Sequence, residues 1–281
     1  MDIKGLAAVV TGGASGMGAA VAAALADKGA KVSVLARRRE TVEAKAREIG
    51  GLGLVCDISK PDEVAAAFDA AERAHGPARV CINCAAYCTM APLLLPDGKP
   101  YPHQVLADII ATNLMGAMYV SQAFAARLVP APVLTDGSRG VLINVSSISA
   151  ADGMVGASYV SGKAGVDALG LCLAREFAPW GIRSMTIAPG GVDTEMLRHN
   201  TDAKLTAYIE KMFVHPRRLG KPAEFAALAM HIVDNDFLNG SVIRFDGGVH
   251  MPFIRGELER TRDAKTLADC CSVVGAGINA C

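Results

Sequence analysis

Val9-Val10-Thr11-Gly12-Gly13-Ala14-Ser15-Gly16-Met17-Gly18 decides the fold. An apolar, strand-like run, Leu6–Val10, ends in a glycine-rich turn, and an alanine-rich stretch of helical period, Met17–Lys28, follows at once. Glycine has no Cβ, so Gly12, Gly16 and Gly18 let a phosphate-bearing ligand approach the backbone. The helix that starts at the turn adds unpaired N–H groups and the positive end of its dipole. Strand, glycine turn and helix in this order predict a dinucleotide pyrophosphate site at the start of a parallel α/β sheet. A turn that merely packs helix against strand is the plainer alternative, and its place at the first strand argues against it.

Outward from that turn, strand-like and helix-period segments alternate along the chain, the pattern of a doubly wound α/β sheet. The strands read as Leu6–Val10, Lys31–Leu35, Leu52–Cys56, Arg79–Asn83, Val141–Val145, Arg183–Ala188 and Ser241–Phe245; the clearest helices are Met17–Lys28, Glu40–Ile49, Asp62–Ala74 and Ala157–Ala178. A single seven-stranded parallel sheet with helices on both faces follows, within one domain over residues 1–255. Two irregular stretches, Tyr87–His103 and Asp193–Pro216, follow strand C-termini, where open α/β sheets bind ligands. Residues 256–281 have no place in the sheet and are expected to be a flexible tail or a partner-docking arm.

With 281 residues, 51% of them hydrophobic, the chain can bury a large core. Its 28 basic and 28 acidic residues cancel, so no global field draws it to nucleic acid or to an anionic membrane. The basic runs Arg37–Arg39 and Arg217-Arg218 lack interleaved aromatics, which also speaks against nucleic acid. The N-terminus has no secretory apolar run, and no unbroken apolar stretch suggests a membrane span, so a cytoplasmic protein is expected. Eight scattered cysteines suit a reducing compartment. Cys81, Cys84 and Cys88 could be read as metal ligands, but Cys81 falls inside a buried strand and no fourth ligand is near, so no metal is expected.

The second strand ends in Ala36-Arg37-Arg38-Arg39, where an acidic residue would bind a ribose 2′-hydroxyl. An arginine fork at Arg37 matches a 2′-phosphate, so the sequence favours NADP(H) over NAD(H). Tyr159 and Lys163, four apart in Ser158-Tyr159-Val160-Ser161-Gly162-Lys163, share one helix face. A phenol with a pKa of about 10 becomes a useful acid and base when an ammonium stands beside it to stabilise the phenolate. A serine after the fifth strand, in Asn144-Val145-Ser146-Ser147, can polarise a carbonyl. Spacing to Tyr159 points to Ser146 and distance from the strand end points to Ser147; Ser147 is favoured because the strand end is the firmer anchor.

With these residues in view, the chain resembles the short-chain dehydrogenase/reductase family over about residues 5–250. The likeness implies a Rossmann fold and hydride transfer between a nicotinamide and an alcohol/ketone pair. It implies Asn113, in Thr112-Asn113-Leu114, as a fourth catalytic residue at a helix kink that supports a proton relay. For the dinucleotide it implies Gly12, Ser15, Gly16, Met17 and Gly18, Arg37, Asp57 with Ile58, Asn83 with Ala85, Tyr159 and Lys163, and Pro189, Gly190, Val192 and Thr194. Asn83-Cys84-Ala85-Ala86 departs from the family by placing Ala86 where a glycine stands. A narrower likeness to one branch rests on the insertion Met90–His103, on Asn113-Leu114-Met115-Gly116 and on Asp236-Phe237-Leu238-Asn239-Gly240. That branch carries an Asp where this chain has Ala36, so cofactor choice does not transfer.

The family further implies a homotetramer formed through the helices that hold Asn113 and Tyr159. Apolar residues near the cleft, Met90, Leu93, Leu94, Met154, Met196, Leu197, Met212 and Phe213, point to a hydrophobic substrate such as a 3-hydroxyacyl thioester, a steroid or an alicyclic ketone, or else to lid packing. A dinucleotide-binding sensor without chemistry is the rival reading; the intact Asn113, Ser147, Tyr159 and Lys163 set argues against it.

Overall fold

A computed structural model describes residues 1–89, 91–95, 97–153, 156–200 and 209–250. Seven parallel strands form one sheet in the order β3-β2-β1-β4-β5-β6-β7. These are β1 (Ala7–Thr11), β2 (Lys31–Ala36), β3 (Leu52–Val55), β4 (Ala78–Asn83), β5 (Gly140–Val145), β6 (Ile182–Pro189) and β7 (Val242–Phe245). Each lies within a residue or two of its sequence-predicted bounds. The order reverses between β1 and β4, which opens a crevice at the carboxyl ends of those strands.

Alternation along β1 shows how two cores arise. Ala8 and Val10 point to one face, where they meet Val21 and Leu25 of α1 (Gly16–Asp27) and Phe225 and Ala229 of α9 (Pro222–Asp234). Ala7 and Val9 point to the other, with Phe68 of α3 (Pro61–His75), Phe124 and Leu128 of α5 (Gly116–Leu128) and Leu173 of α7 (Ala157–Glu176). A central strand buried on both faces reads as an unbroken apolar run, which is why β1, β4, β5 and β6 were legible.

Three features escape the periodicity. The helix after the insertion runs from α4 (His103–Ile110) through a π-helical turn, Ala111–Met115, into α5. That continuous run, His103–Leu128, is apolar and long enough to cross a membrane; in the fold Ile109, Asn113, Val120, Phe124 and Leu128 are buried within the protein. The stretch Asp193–Pro216, read as irregular, begins with a helix, α8 (Glu195–Asn200). The described part of the insertion is tied to itself: Leu94 bridges Pro100, and Tyr101 N–H donates to the Leu93 carbonyl at 3.0 Å. The tail 256–281, Met90 and Met154 lie outside the described residues. A short α2 (Arg39–Ile49) follows β2, and α6 (Ser149–Asp152) follows β5.

Candidate active site

The glycine turn is built as its sequence requires. Gly12 and Gly16 have φ of 62° and 51°, a region that side chains disfavour. A Cβ on Gly12 would fall 2.8 Å from the Ala85 backbone, and one on Gly18 would fall 2.3 Å from the Gly12 carbonyl oxygen. The turn therefore nests between α1 and the loop after β4. Ser15 sits at the N-cap of α1 in extended conformation and makes no side-chain cap, so the first N–H groups at Gly16, Met17 and Gly18 are left to a ligand. Across the crevice, the Thr194 methyl lies 3.1 Å from where a Cβ on Gly16 would be. Residues far apart in the chain, Gly16 and Thr194, thus frame one cleft, whose glycine approach and N-terminal N–H groups fit a dinucleotide pyrophosphate.

The remaining dinucleotide candidates divide by what occupies their polar groups. Arg37 and Arg38 are exposed after β2, and among the described residues neither has an ion-pair partner, whereas Arg39 pairs with Glu43 at 3.3 Å. Asp57 accepts from the Ser59 N–H and hydroxyl at 3.0 and 2.7 Å, which ties it to the turn before α3. Ile58 is buried against Gly116, so its side chain belongs to the core and only its backbone is open to a ligand. Asn83 joins a buried ladder: the Thr11 hydroxyl donates to it at 2.6 Å, and its own amide donates to Asn144 at 3.3 Å. Ala85 N–H donates to Thr11 Oγ1 at 3.2 Å. This ladder fixes the strand ends that form the cleft floor. Ala86, where the family has glycine, causes no strain, since no described residue other than glycine has a positive φ.

After β6, the Pro189 carbonyl accepts from Ile148 N–H at 3.0 Å, and Gly190 N–H donates to Phe245 at 2.9 Å. Val192 is buried in a bridge to Gly220, and the Thr194 hydroxyl accepts from Leu197 N–H at 3.3 Å. Of the apolar residues expected at the cleft, Leu93, Leu94 and Met196 are exposed. Leu197, Met212 and Phe213 instead pack with Ile148, Leu219 and Val249 in a small cluster of their own.

The two serines separate clearly. Ser146 is buried and its hydroxyl donates to the Lys163 carbonyl at 2.9 Å, into the body of α7. Ser147 lies within hydrogen-bonding reach of the Tyr159 phenol. Its oxygen accepts from Ser149 N–H at 3.2 Å and from the Ser149 hydroxyl at 2.9 Å. With both acceptor positions filled, the Ser147 proton remains as the group to donate. Lys163 is buried, its Nζ donates to the Val145 carbonyl at 2.8 Å, and it stands 5.9 Å from the centre of the Tyr159 ring. Asn113 is buried in the π-turn, with both ends of its amide on Tyr87: Nδ2 donates to the carbonyl and Oδ1 accepts from the N–H, each at 2.8 Å. The side chain thus clamps the loop after β4.

The short chain dehydrogenase family model matches residues 6–205. The chain belongs to that family. It is 36% identical over 254 residues to human 3-hydroxyacyl-CoA dehydrogenase type-2, covering 89% of this chain and 97% of that protein. Ipsdienol dehydrogenase of Ips pini is 32% identical over 86% of this chain and 95% of its own length. The crystal structure of 3-hydroxyacyl-CoA dehydrogenase type-2 from Mycobacterium avium superposes with a TM-score of 0.83 at 31% identity, covering 88% of this chain and 97% of that one. This short-chain dehydrogenase is therefore an NAD(P)-dependent oxidoreductase of CH–OH groups.

Electrostatics at the dehydrogenase's site differ in one respect from the expectation that Lys163 pulls the phenol down. Burial pushes the Tyr159 phenol above its ordinary value, Cys88 adds to the rise, and the hydrogen bond to Ser147 opposes it. Burial also lowers Lys163 from 10.5 to about 8, against the nearby Cys88, Cys84 and Asp167. Sequence reasoning missed Cys88 beside the phenol and Ser149 behind Ser147. Neither carries a spacing signal: Cys88 arrives on the loop after β4, and Ser149 opens the four-residue α6, too short to show a period. Cys81 is buried in β4, and no cluster of three metal-ligating side chains occurs among the described residues.

Proposed function

We propose that this dehydrogenase interconverts a hydrophobic secondary alcohol and its ketone, with NADP(H) preferred. Tyr159 is the general acid and base, Ser147 donates to the substrate oxygen, Lys163 holds the nicotinamide ribose and supports the phenolate, and Asn113 orders the loop that borders them. The bound dinucleotide supplies or accepts the hydride. In reduction, Ser147 O–H polarises the carbonyl and Tyr159 passes its proton to the developing alkoxide; oxidation reverses both steps. The observation that carries this reading is the Ser149–Ser147–Tyr159 sequence of contacts, which holds the Ser147 hydroxyl beside the Tyr159 phenol.

The preference for NADP(H) rests on exposed Arg37 and Arg38, which lack an acidic partner among the described residues, and on Ala36 at the position where an acidic residue would repel a 2′-phosphate. The exposed Leu93, Leu94 and Met196 support an apolar substrate. Because the relatives are named for 3-hydroxyacyl-CoA, 3-hydroxyacyl thioesters lead the candidates. We also read the protein as a cytoplasmic homotetramer, a reading supported by exposed Met115, Met118 and Leu171 on the helices around the site and by the five free cysteines among the described residues. The test is nicotinamide absorbance with NADPH and NADH against 3-oxoacyl thioesters, steroids and alicyclic ketones. Turnover led by NADPH supports the reading, and Arg37→Asp should shift preference toward NADH. Equal use of both cofactors by the unaltered and Arg37→Asp proteins would contradict the cofactor assignment.

A further inference from the structure

Behind Ser147 lies a group that the reaction above does not use. Arg244, on β7, holds four hydrogen bonds at once. Nη1 and Nη2 donate to the two oxygens of Asp152 at 2.8 and 3.0 Å, Nε donates to Asp246 at 2.6 Å, and Nη2 also reaches the Val249 carbonyl at 2.6 Å. Asp152 ends α6, and its side chain is only 6% exposed, so its charge depends on this fork and on His250, whose Nδ1 lies at 3.4 Å. At the other end of the same short helix, Ser149 fills both acceptor positions of Ser147. A helix of four residues cannot hold its own orientation by internal hydrogen bonds.

The other side of the fork reaches the dinucleotide loop. A Cβ on Gly190 would lie 3.0 Å from the Asp246 Cβ, and Ile148, which precedes α6, is hydrogen-bonded to Pro189. Arg244 therefore joins α6 to the turn after β7 at one guanidinium, and Asp246 carries that turn against Gly190 of the loop after β6. Only a planar fork can engage Asp152 with two parallel bonds while Nε serves Asp246; a lysine offers the charge without that geometry.

We propose that Arg244 is a positioning residue for the reaction, acting through Asp152 and α6 to aim the Ser147 hydroxyl. The proposal rests on the reading of Ser147 as the carbonyl donor. A double-mutant cycle on the full chain separates aim from mere stability. Steady-state kcat and substrate KM are measured for Arg244→Lys, Ser147→Ala and the pair, with thermal melting and dinucleotide affinity as controls. Asp152→Asn serves as a second entry to the same contact.

Arg244→Lys should lower kcat about ten- to hundredfold, the scale on which misplacement of a catalytic group acts, while dinucleotide affinity stays near that of the unaltered protein. In the Ser147→Ala background the same change should cost less than about twofold, because the group being aimed is gone. Asp152→Asn should repeat both results. Full additivity of Arg244→Lys and Ser147→Ala, or an unchanged kcat in Arg244→Lys, would overturn the proposal and leave the role of Ser147 intact. A Ser147→Ala protein with undiminished kcat would overturn the donor reading and this inference together.

Discussion

Tyr159 and Lys163 stand one turn apart on α7, and burial moves their proton affinities in opposite directions: the phenol is held protonated, and the ammonium is brought down to about 8. Both shifts have one cause, since a low-polarity cleft penalises whichever form carries charge. A dinucleotide-free protein should therefore show the lysine in its stability. Folded Lys163 releases its proton from about pH 8, whereas the unfolded chain keeps it to 10.5, so the unfolded state binds more protons between those values. Over that window this group makes stability rise with pH. The urea midpoint of the unaltered protein, measured relative to Lys163→Met, should climb from pH 8 to 10; a flat difference would remove the buried-ammonium account.

Among elements, the π-turn Ala111–Met115 has the largest consequence for the site. It places Asn113 inward, where one amide satisfies both the N–H and the carbonyl of Tyr87. Asn113→Ala would remove two hydrogen bonds from the Tyr87 backbone, at about 0.5–1.5 kcal/mol each. Melting should fall accordingly, and kcat should fall with it as the loop carrying Cys88 loosens. An Asn113→Ala protein that melts with the parent would show that the clamp is dispensable. The strands and the helices α1, α2, α3 and α7 were legible because period two, unbroken apolar runs and period 3.6 are written in the order of the residues. The π-turn and α6 were not, because one inserted residue or a four-residue helix leaves no periodic trace. Distance from the strand end favoured Ser147 over Ser146; the hydrogen bonds from Ser149 that support that reading exist only once the loop is folded.

At the scale of the molecule, the order β3-β2-β1-β4-β5-β6-β7 gathers Gly12, Asn83, Ser147 and Gly190 at the carboxyl end of the parallel sheet from four separate parts of the chain. The outer faces of α5 and α7 expose Met118 at 38% and Leu171 at 45%. If these faces meet between subunits, Met118→Glu should shift light-scattering mass toward dimer or monomer, and an unchanged tetramer would place the interface elsewhere. The chemistry is most directly tested by single-turnover oxidation of NADPH with the best ketone found, comparing the unaltered protein with Tyr159→Phe. The expected result is a loss of about 10²-fold or more in rate with dinucleotide binding retained, as befits removal of a general acid. A Tyr159→Phe protein that turns over at the parent rate would contradict the account and assign the proton to another group.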